Sequence, residues 1–241
     1  MRQKYFIAVC DILGFSALVQ STPLDRLVDG HLGWFRRSLH HSLHKTSFPD
    51  TPPPASALES HALLGVAWFS DTVLLYSRDD SDEAVRELIA TVGWLIFEGQ
   101  LGGTTRIRAG LAYGDAHIDP AGSIYVGKPI VEAHQLETAQ QWSGAALTPE
   151  AVERVPEEAR TGKYADWWLV PWDVPLKNSE PIATLAVNWN LGLHHPEWRL
   201  KWSKDFDDPP AEAWASDRGI CEKFANTKRF HESHCRTCRS T

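Results

Sequence analysis

Tyr5-Phe6-Ile7-Ala8-Val9-Cys10-Asp11-Ile12-Leu13-Gly14-Phe15-Ser16 is the stretch whose reading decides the fold. Its first half is a short apolar run, Tyr5 to Cys10, of strand length and strand composition, closed by Asp11. Gly14-Phe15-Ser16 then opens a helical spacing through Leu18, Val19, Leu24, Leu27, Val28 and Leu32. The pattern predicts strand, turn, helix, with a carboxylate at the strand end and backbone N–H groups at the turn.

Working outward, His31 to His44 continues as a basic, helix-compatible stretch, and Pro49 to Pro54 excludes regular structure, predicting an exposed loop. Leu63 to Tyr76 is apolar except for Ser70-Asp71-Thr72, which predicts two antiparallel strands joined by a tight turn with Asp71 at the tip. Asp82 to Phe97 has helical spacing, with Ser81 or Asp82 as the cap and Gly99, Gly102 and Gly103 beyond its end. Arg106 to Ala112 alternates as a strand does, Gly114-Asp115 turns, and a short pair follows around Ile118 and Ile124 to Val126. Gly127 to Gln141 reads as helix and Ala145 to Leu147 as strand. Runs of strands mixed with helices predict an α+β fold, an antiparallel sheet with helices on one face. Beyond Pro149 the chain turns irregular and Trp-rich, with strands expected at Tyr164 to Val170 and Ile182 to Trp189 and a polar tail from Pro209. The expected organisation is a core over residues 1–150 and a C-terminal extension over 151–241.

Composition bounds the function. The 241 residues are 43% hydrophobic and 23% charged, which excludes disorder for most of the chain. With 31 Asp and Glu against 24 Lys and Arg there is no global basic footprint, so neither nucleic acid nor an anionic membrane is an expected partner. No run of eighteen apolar residues occurs and the start lacks the long apolar region of a secretory signal; a cytoplasmic protein is expected. The four cysteines do not form a disulfide framework.

Asp11 and Asp71 each stand at a strand end in apolar surroundings. Singly, one reads as a helix cap and the other as a turn residue. On neighbouring strands, both would point at one spot, and hard oxygen ligands placed together suit Mg²⁺ or Mn²⁺ with phosphate completing the shell. The turn at Gly14, Phe15 and Ser16 offers N–H groups of the kind that bind phosphates.

Four segments together, residues 6–16, Phe-Ser-Asp-Thr-Val (69–73), Arg-Ala-Gly-Leu-Ala-Tyr-Gly (108–114) and Tyr-Val-Gly-Lys-Pro-Ile-Val-Glu-Ala-His-Gln-Leu-Glu (125–137), resemble the class III nucleotidyl cyclase domain in order and spacing, over about residues 5 to 150. The resemblance implies a ferredoxin-like sheet and a homodimer with the site at its interface. It further implies two Mg²⁺ or Mn²⁺ ions held by Asp11, the Ile12 backbone and Asp71, with Gly14, Phe15 and Ser16 on the triphosphate. Ala67 and Ile124 stand where purine cyclases carry the base-reading Lys and acidic residue, and Val131 and Gln135 where they carry an Asn and an Arg that steady the transition state. These departures, Ser70-Asp71 in place of Gly-Asp, and Leu-Glu-x-Ala-Gln-x-Trp (136–142) are similar to the pyrimidine cyclases of bacterial Pycsar anti-phage systems. That likeness implies UTP or CTP as substrate, Ala67 and Ile124 in the base pocket, and a cyclic nucleotide product acting on a separate effector. Loss of the Asn and Arg is equally what a degenerate, nucleotide-binding regulatory module would show.

Arg108 is the expected replacement cation at the phosphates, with Arg106 on the same strand face and Lys128 after the Gly127 turn behind it. His134 is expected at the surface or an interface. Cys221, His231, His234, Cys235 and Cys238 include a Cys-x-x-Cys and could hold a structural Zn²⁺, although a reduced, unligated tail is the favoured expectation. The C-terminal tryptophans read as core and interface, and His40, His41 and His44 as a solvated or interface face rather than a metal site.

Overall fold

The structure, a computed structural model, describes residues 3–101, 105–161, 167–194 and 218–235. β1 (Gln3–Ile12) leads into α1 (Phe15–Ser21), α2 (Leu24–Arg26), a π-helical turn over Leu27–Leu32 and α3 (Gly33–His44). A short α4 (Ala55–Glu59), unmarked in the sequence pattern because it follows directly on the prolines, precedes the hairpin β2 (Leu64–Phe69) and β3 (Thr72–Ser77). Next come α5 (Asp82–Leu101), β4 (Ile107–Asp119), β5 (Ile124–Gly127), α6 (Lys128–Ala139) and β6 (Ala145–Leu147). The chain continues with α7 (Pro149–Arg154), α8 (Glu157–Arg160), β7 (Leu169–Val174), β8 (Ile182–Val187) and α9 (Arg218–His234).

Among the described residues the strands form one mixed sheet in the order β2-β3-β1-β4-β6-β8-β7, with β5 paired to the far end of β4. The first four neighbours are antiparallel and arise from a β-α-β-β-α-β chain order, the ferredoxin-like arrangement within an α+β fold. β6 runs parallel to β4, because the connection between them crosses over through α6. β8 then pairs with β6 and β7 with β8, so the sheet runs on past residue 150 into the Trp-rich part of the chain. The first part of the strand expected from Tyr164 lies outside the described residues.

The period of two along β1 divides the interior. Phe6, Ala8, Cys10 and Ile12 enter the larger core, with Phe35 and Leu39 of α3 and Leu88 and Leu95 of α5. Ile7 and Val9 face the other way, against Leu74, Tyr76 and Ala133 of α6. Helices therefore cover both faces of the sheet, where the sequence pattern predicted one. The reason is Gly110: a side chain there would put a Cβ 2.1 Å from the Ala133 carbonyl oxygen, so only glycine lets the α6 backbone lie on β4. Gly99 also departs from expectation. It sits inside α5, which continues to Leu101, and a Cβ there would be 2.9 Å from the Thr105 oxygen just before β4.

The histidines of α3 are half-buried rather than solvated. His41 Nδ1 is bound to Glu98 Oε1 and Ser38 donates to Glu98 Oε2, a buried tie between α3 and α5. His44 Nε2 donates to the Ala57 carbonyl of α4 at 2.8 Å. At the other end of the sheet, Phe230 of α9 packs fully buried, 4.8 Å from the Trp142 ring and 5.3 Å from that of Trp172. There the tryptophans are core, as expected.

Candidate active site

Asp11 is the penultimate residue of β1, and the pairing register sets Thr72 beside it on β3 and Arg108 beside it on β4. The side chain lies on the α6 face, by alternation with Ile7 and Val9. Thr72 Oγ1 donates to Asp11 Oδ1 at 3.4 Å, and Asp71, the residue before Thr72 at the hairpin tip, is near enough for its charge to act on the Asp11 carboxyl. The tip is held by Trp68, whose indole N–H donates to the Ser70 carbonyl at 2.5 Å. Ser70 adopts φ +58°, a left-handed conformation that glycine takes at less cost, so the Ser-Asp turn is tight in the way expected but carries some strain.

Burial, the nearby Glu137 and Asp71 together push the Asp11 carboxyl up to about 7, against the opposing pull of Arg108. Two carboxylates on neighbouring strands form a hard oxygen donor set of the kind a divalent ion takes. Two carboxylates and the Ile12 backbone fit such an ion only if other ligands come from substrate: among the described residues no group of three or more His, Cys, Asp or Glu side chains is gathered as a metal site.

Arg108 is almost fully buried. Its Nε donates to Glu137 Oε1 at 2.6 Å, Nη2 also meets Glu137, and Nη1 donates to the Gln140 carbonyl at 3.0 Å. Nη2 stands 3.6 Å from Asp11 Oδ2. Gln140 in turn donates to the Ala109 carbonyl at 2.8 Å and accepts from the Trp142 indole at 2.7 Å. The Leu-Glu-x-Ala-Gln-x-Trp run is thus a frame that fixes Arg108, a role its sequence alone did not disclose. The two cations ranked behind Arg108 are engaged elsewhere: Arg106 donates to Gln100 Oε1 at 2.7 Å and lies over the Phe224 ring, and exposed Lys128 pairs with Glu132 and Glu150. His134 is at the surface, 3.5 Å from Glu137.

Gly14, at φ +78°, caps α1 without a side-chain hydrogen bond, and its carbonyl accepts from Ala17 and Leu18. Gly14 and Ser16 are exposed and Phe15 is half-buried. Ala67 lies on the same sheet face as Asp11, two strands away, through the pairs Ala67–Leu74 and Leu74–Val9. Ile124 is not brought to this place. It pairs with Asp119 at the other end of β4, about 35 Å of strand from Arg108. A residue no sequence pattern marked is Lys177, whose amide donates to the Ala139 carbonyl at 2.7 Å. Burial and the charges of Arg108 and Lys223 lower its pKa, with Glu137 and Asp11 opposing.

Among the described residues the expected zinc ligands are not gathered as a metal site. Cys238 lies outside the described residues, His231 Nδ1 is hydrogen-bonded to Asn190 Oδ1 at 2.6 Å, and the His234 ring stacks on Phe230. Among the described residues no helix is long and apolar enough to cross a membrane.

No protein-family model matches the chain, and no curated protein matches it. Solved structures similar to it include the catalytic core of a rhodopsin-guanylyl cyclase with converted specificity in complex with ATPαS, at 14% identity and a TM-score of 0.49, with 77% of this chain and 95% of that one covered. An adenylate cyclase of Trypanosoma brucei in its monomeric state matches at 13% identity and TM-score 0.47, covering 77% and 90%. An adenylate/guanylate cyclase/hydrolase from Silicibacter pomeroyi matches at 14% identity and TM-score 0.47, covering 77% and 96%. At these identities the likeness is one of fold.

Proposed function

We propose that the chain is a nucleotidyl cyclase that converts a pyrimidine triphosphate, UTP or CTP, to its 3′,5′-cyclic monophosphate and pyrophosphate. The single observation that supports this reading is the register that sets Asp11 of β1 beside Thr72, the residue next to Asp71 at the hairpin tip.

In the proposed reaction the ribose 3′-oxygen loses its proton and bonds to the α-phosphorus, and the bond from that phosphorus to the bridging oxygen of pyrophosphate breaks. Two Mg²⁺ or Mn²⁺ ions on Asp11, Asp71 and the Ile12 carbonyl would supply acidity to the 3′-hydroxyl and charge neutralisation to the triphosphate. The backbone at Gly14, Phe15 and Ser16 orients the phosphates. Arg108 is a positioning residue: gripped by Glu137, it fixes Asp11 rather than reaching for the phosphates as a free cation. Lys177, with no ion pair among the described residues, takes the role first expected of Arg108, and a bound triphosphate would favour its charged form.

The base pocket of this reading holds Ala67, where no long cation competes for space. This reading takes a homodimer with the site at its interface, to which Ile124 would have to come from the second copy. The product would act on a separate effector in anti-phage defence, in the cytoplasm, and the catalytic core would occupy residues 1–150 with the extension beyond.

Incubating the purified protein with ATP, GTP, CTP and UTP and Mn²⁺, reading products by mass with Asp71→Asn as blank, tests the reading. A cyclic pyrimidine monophosphate absent from the blank supports it. A cyclic purine product overturns the base choice, and metal-dependent triphosphate binding without any cyclic product makes the chain a regulatory module instead.

A further inference from the structure

A cavity of about 770 Å³, open to solvent, lies along the helical segment between Thr22 and Arg37, on the helix-covered side of the molecule. Its volume is in the range of small-molecule sites. Along one helical stripe it is lined by Arg26, Gly30, Trp34 and Arg37, and it is closed by His31 and Thr105. The stripe crosses the π-helical turn over Leu27–Leu32, an irregularity that frequently accompanies function in helices.

Its chemistry is specific. Arg37 lies 5.4 Å over the Phe48 ring and donates to the Asp50 carbonyl at 3.2 Å, and its buried Nε has no acceptor among the described residues. Arg26, at the far end of the stripe, is exposed. Arg37, one turn from Trp34 along the stripe, offers the planar, multidentate donors that a phosphate takes. Trp34 offers an aromatic wall on which a base could stack. Asp25 and Asp29, one turn apart at the rim, can accept from ribose hydroxyls or a base amino group, which simple anions would not satisfy. His31 is fixed by its Nδ1, 3.1 Å from Oγ1 of buried Thr105. Gly30, exposed on the same stripe, leaves open space beside Trp34, since a Cβ there would meet nothing within 4 Å.

We propose that this cavity is a second small-molecule site, separate from Asp11 and Asp71, which takes a free nucleoside monophosphate with its base on Trp34 and its phosphate on Arg37, one helical turn away. The site borders the turn that carries Gly14: the Arg106 carbonyl, next to Thr105, accepts from Leu13 N at 2.9 Å. The proposal stands whether or not the chain cyclises nucleotides.

The test is calorimetric titration of the full chain, in EDTA so that metal-dependent binding is silent, with UMP, AMP, ribose 5-phosphate and uridine. Saturable binding of at least one nucleotide is expected, with ribose 5-phosphate and uridine each about tenfold weaker or worse, since each lacks one half of the recognition. Gly30→Phe, which fills the cavity, should abolish that binding, and Arg37→Met should weaken it about tenfold or more with the thermal midpoint kept. No saturable binding by either nucleotide overturns the proposal, as does binding that survives both substitutions. Should Gly30→Phe fail to fold, the Arg37→Met titration decides alone. Ribose 5-phosphate binding as tightly as UMP would also overturn it, because the aromatic wall would then contribute nothing.

Discussion

Arg108 and Glu137 form a buried ion pair that reaches from β4 to the end of α6, and the same guanidinium stands 3.6 Å from Asp11. A pair with both partners this deeply buried is held by its mutual attraction and by the Gln140 and Thr138 carbonyls that take the remaining donors. Glu137→Gln leaves the arginine charge buried with only the more distant Asp11 carboxylate to offset it. The expected loss is about 3 kcal/mol, read as a lower urea midpoint at unchanged slope. A midpoint equal to that of the parent would mean that Arg108 is hydrated and the frame unimportant.

Asp11 carries the opposite expectation. A carboxyl whose folded pKa is lifted to about 7 contributes stability at low pH that is lost as pH rises through about 7. Asp11→Asn keeps the shape and removes the charge, so at pH 8 it should raise the thermal midpoint by a few degrees, about 2 to 4 °C, while abolishing turnover. A variant less stable than the parent at pH 8 would count against the crowding of carboxylates described here.

His41 supplies a second pH dependence. The hydrogen bond that His41 donates to Glu98 raises its pKa above the ordinary 6.5, with burial working the other way. Stability from this pair is fully present below 6.5 and is lost as pH climbs through the raised value. Between pH 6 and pH 9 the urea midpoint should fall more in the parent than in His41→Gln. Parallel pH profiles for the two would show that the pair carries no net charge in the fold.

Gly110→Ala tests the contact that lets α6 cover the sheet. The added methyl would meet the Ala133 carbonyl at 2.1 Å and the Glu137 amide at 2.8 Å, neither of which can rotate away. A cost of about 3 kcal/mol is expected, in the upper part of the range for overpacking. If the variant also loses the Arg108 frame, activity should fall further than stability alone accounts for.

The strands around the site were legible because each signal was local. Tyr5 to Asp11, Ser70-Asp71 and the alternation after Arg106 announce themselves by period and turn chemistry, whereas the pairing of β1 with β3, on which any meeting of Asp11 with the Asp71 turn depends, has no local signal. The fate of Arg108 was not legible: its period-two position gave the right face, but Glu137 and Gln140 come from a helix 29 and 32 residues on, and no local pattern couples them. Lys177 was silent for the same reason, reached through a backbone contact with Ala139. The one-sided placement of helices failed because Gly110 looks in sequence like any strand glycine, and its use as a seat for α6 exists only in three dimensions.

β4 has one further consequence, in the order of assembly. It holds β1 along one edge, β6 along the other and β5 at its far end, so every later strand of the sheet is attached through it. Both neighbours of β1 lie downstream, β3 some sixty residues on and β4 about a hundred. As the chain leaves the ribosome, β1 therefore waits with an open apolar edge until residues 107–116 emerge, the kind of long-range closure that slows folding. Nascent chains halted between β3 and β4 should be the most prone to aggregate and the most dependent on chaperones, and those halted after residue 147 should already hold the first five strands of the sheet path in register.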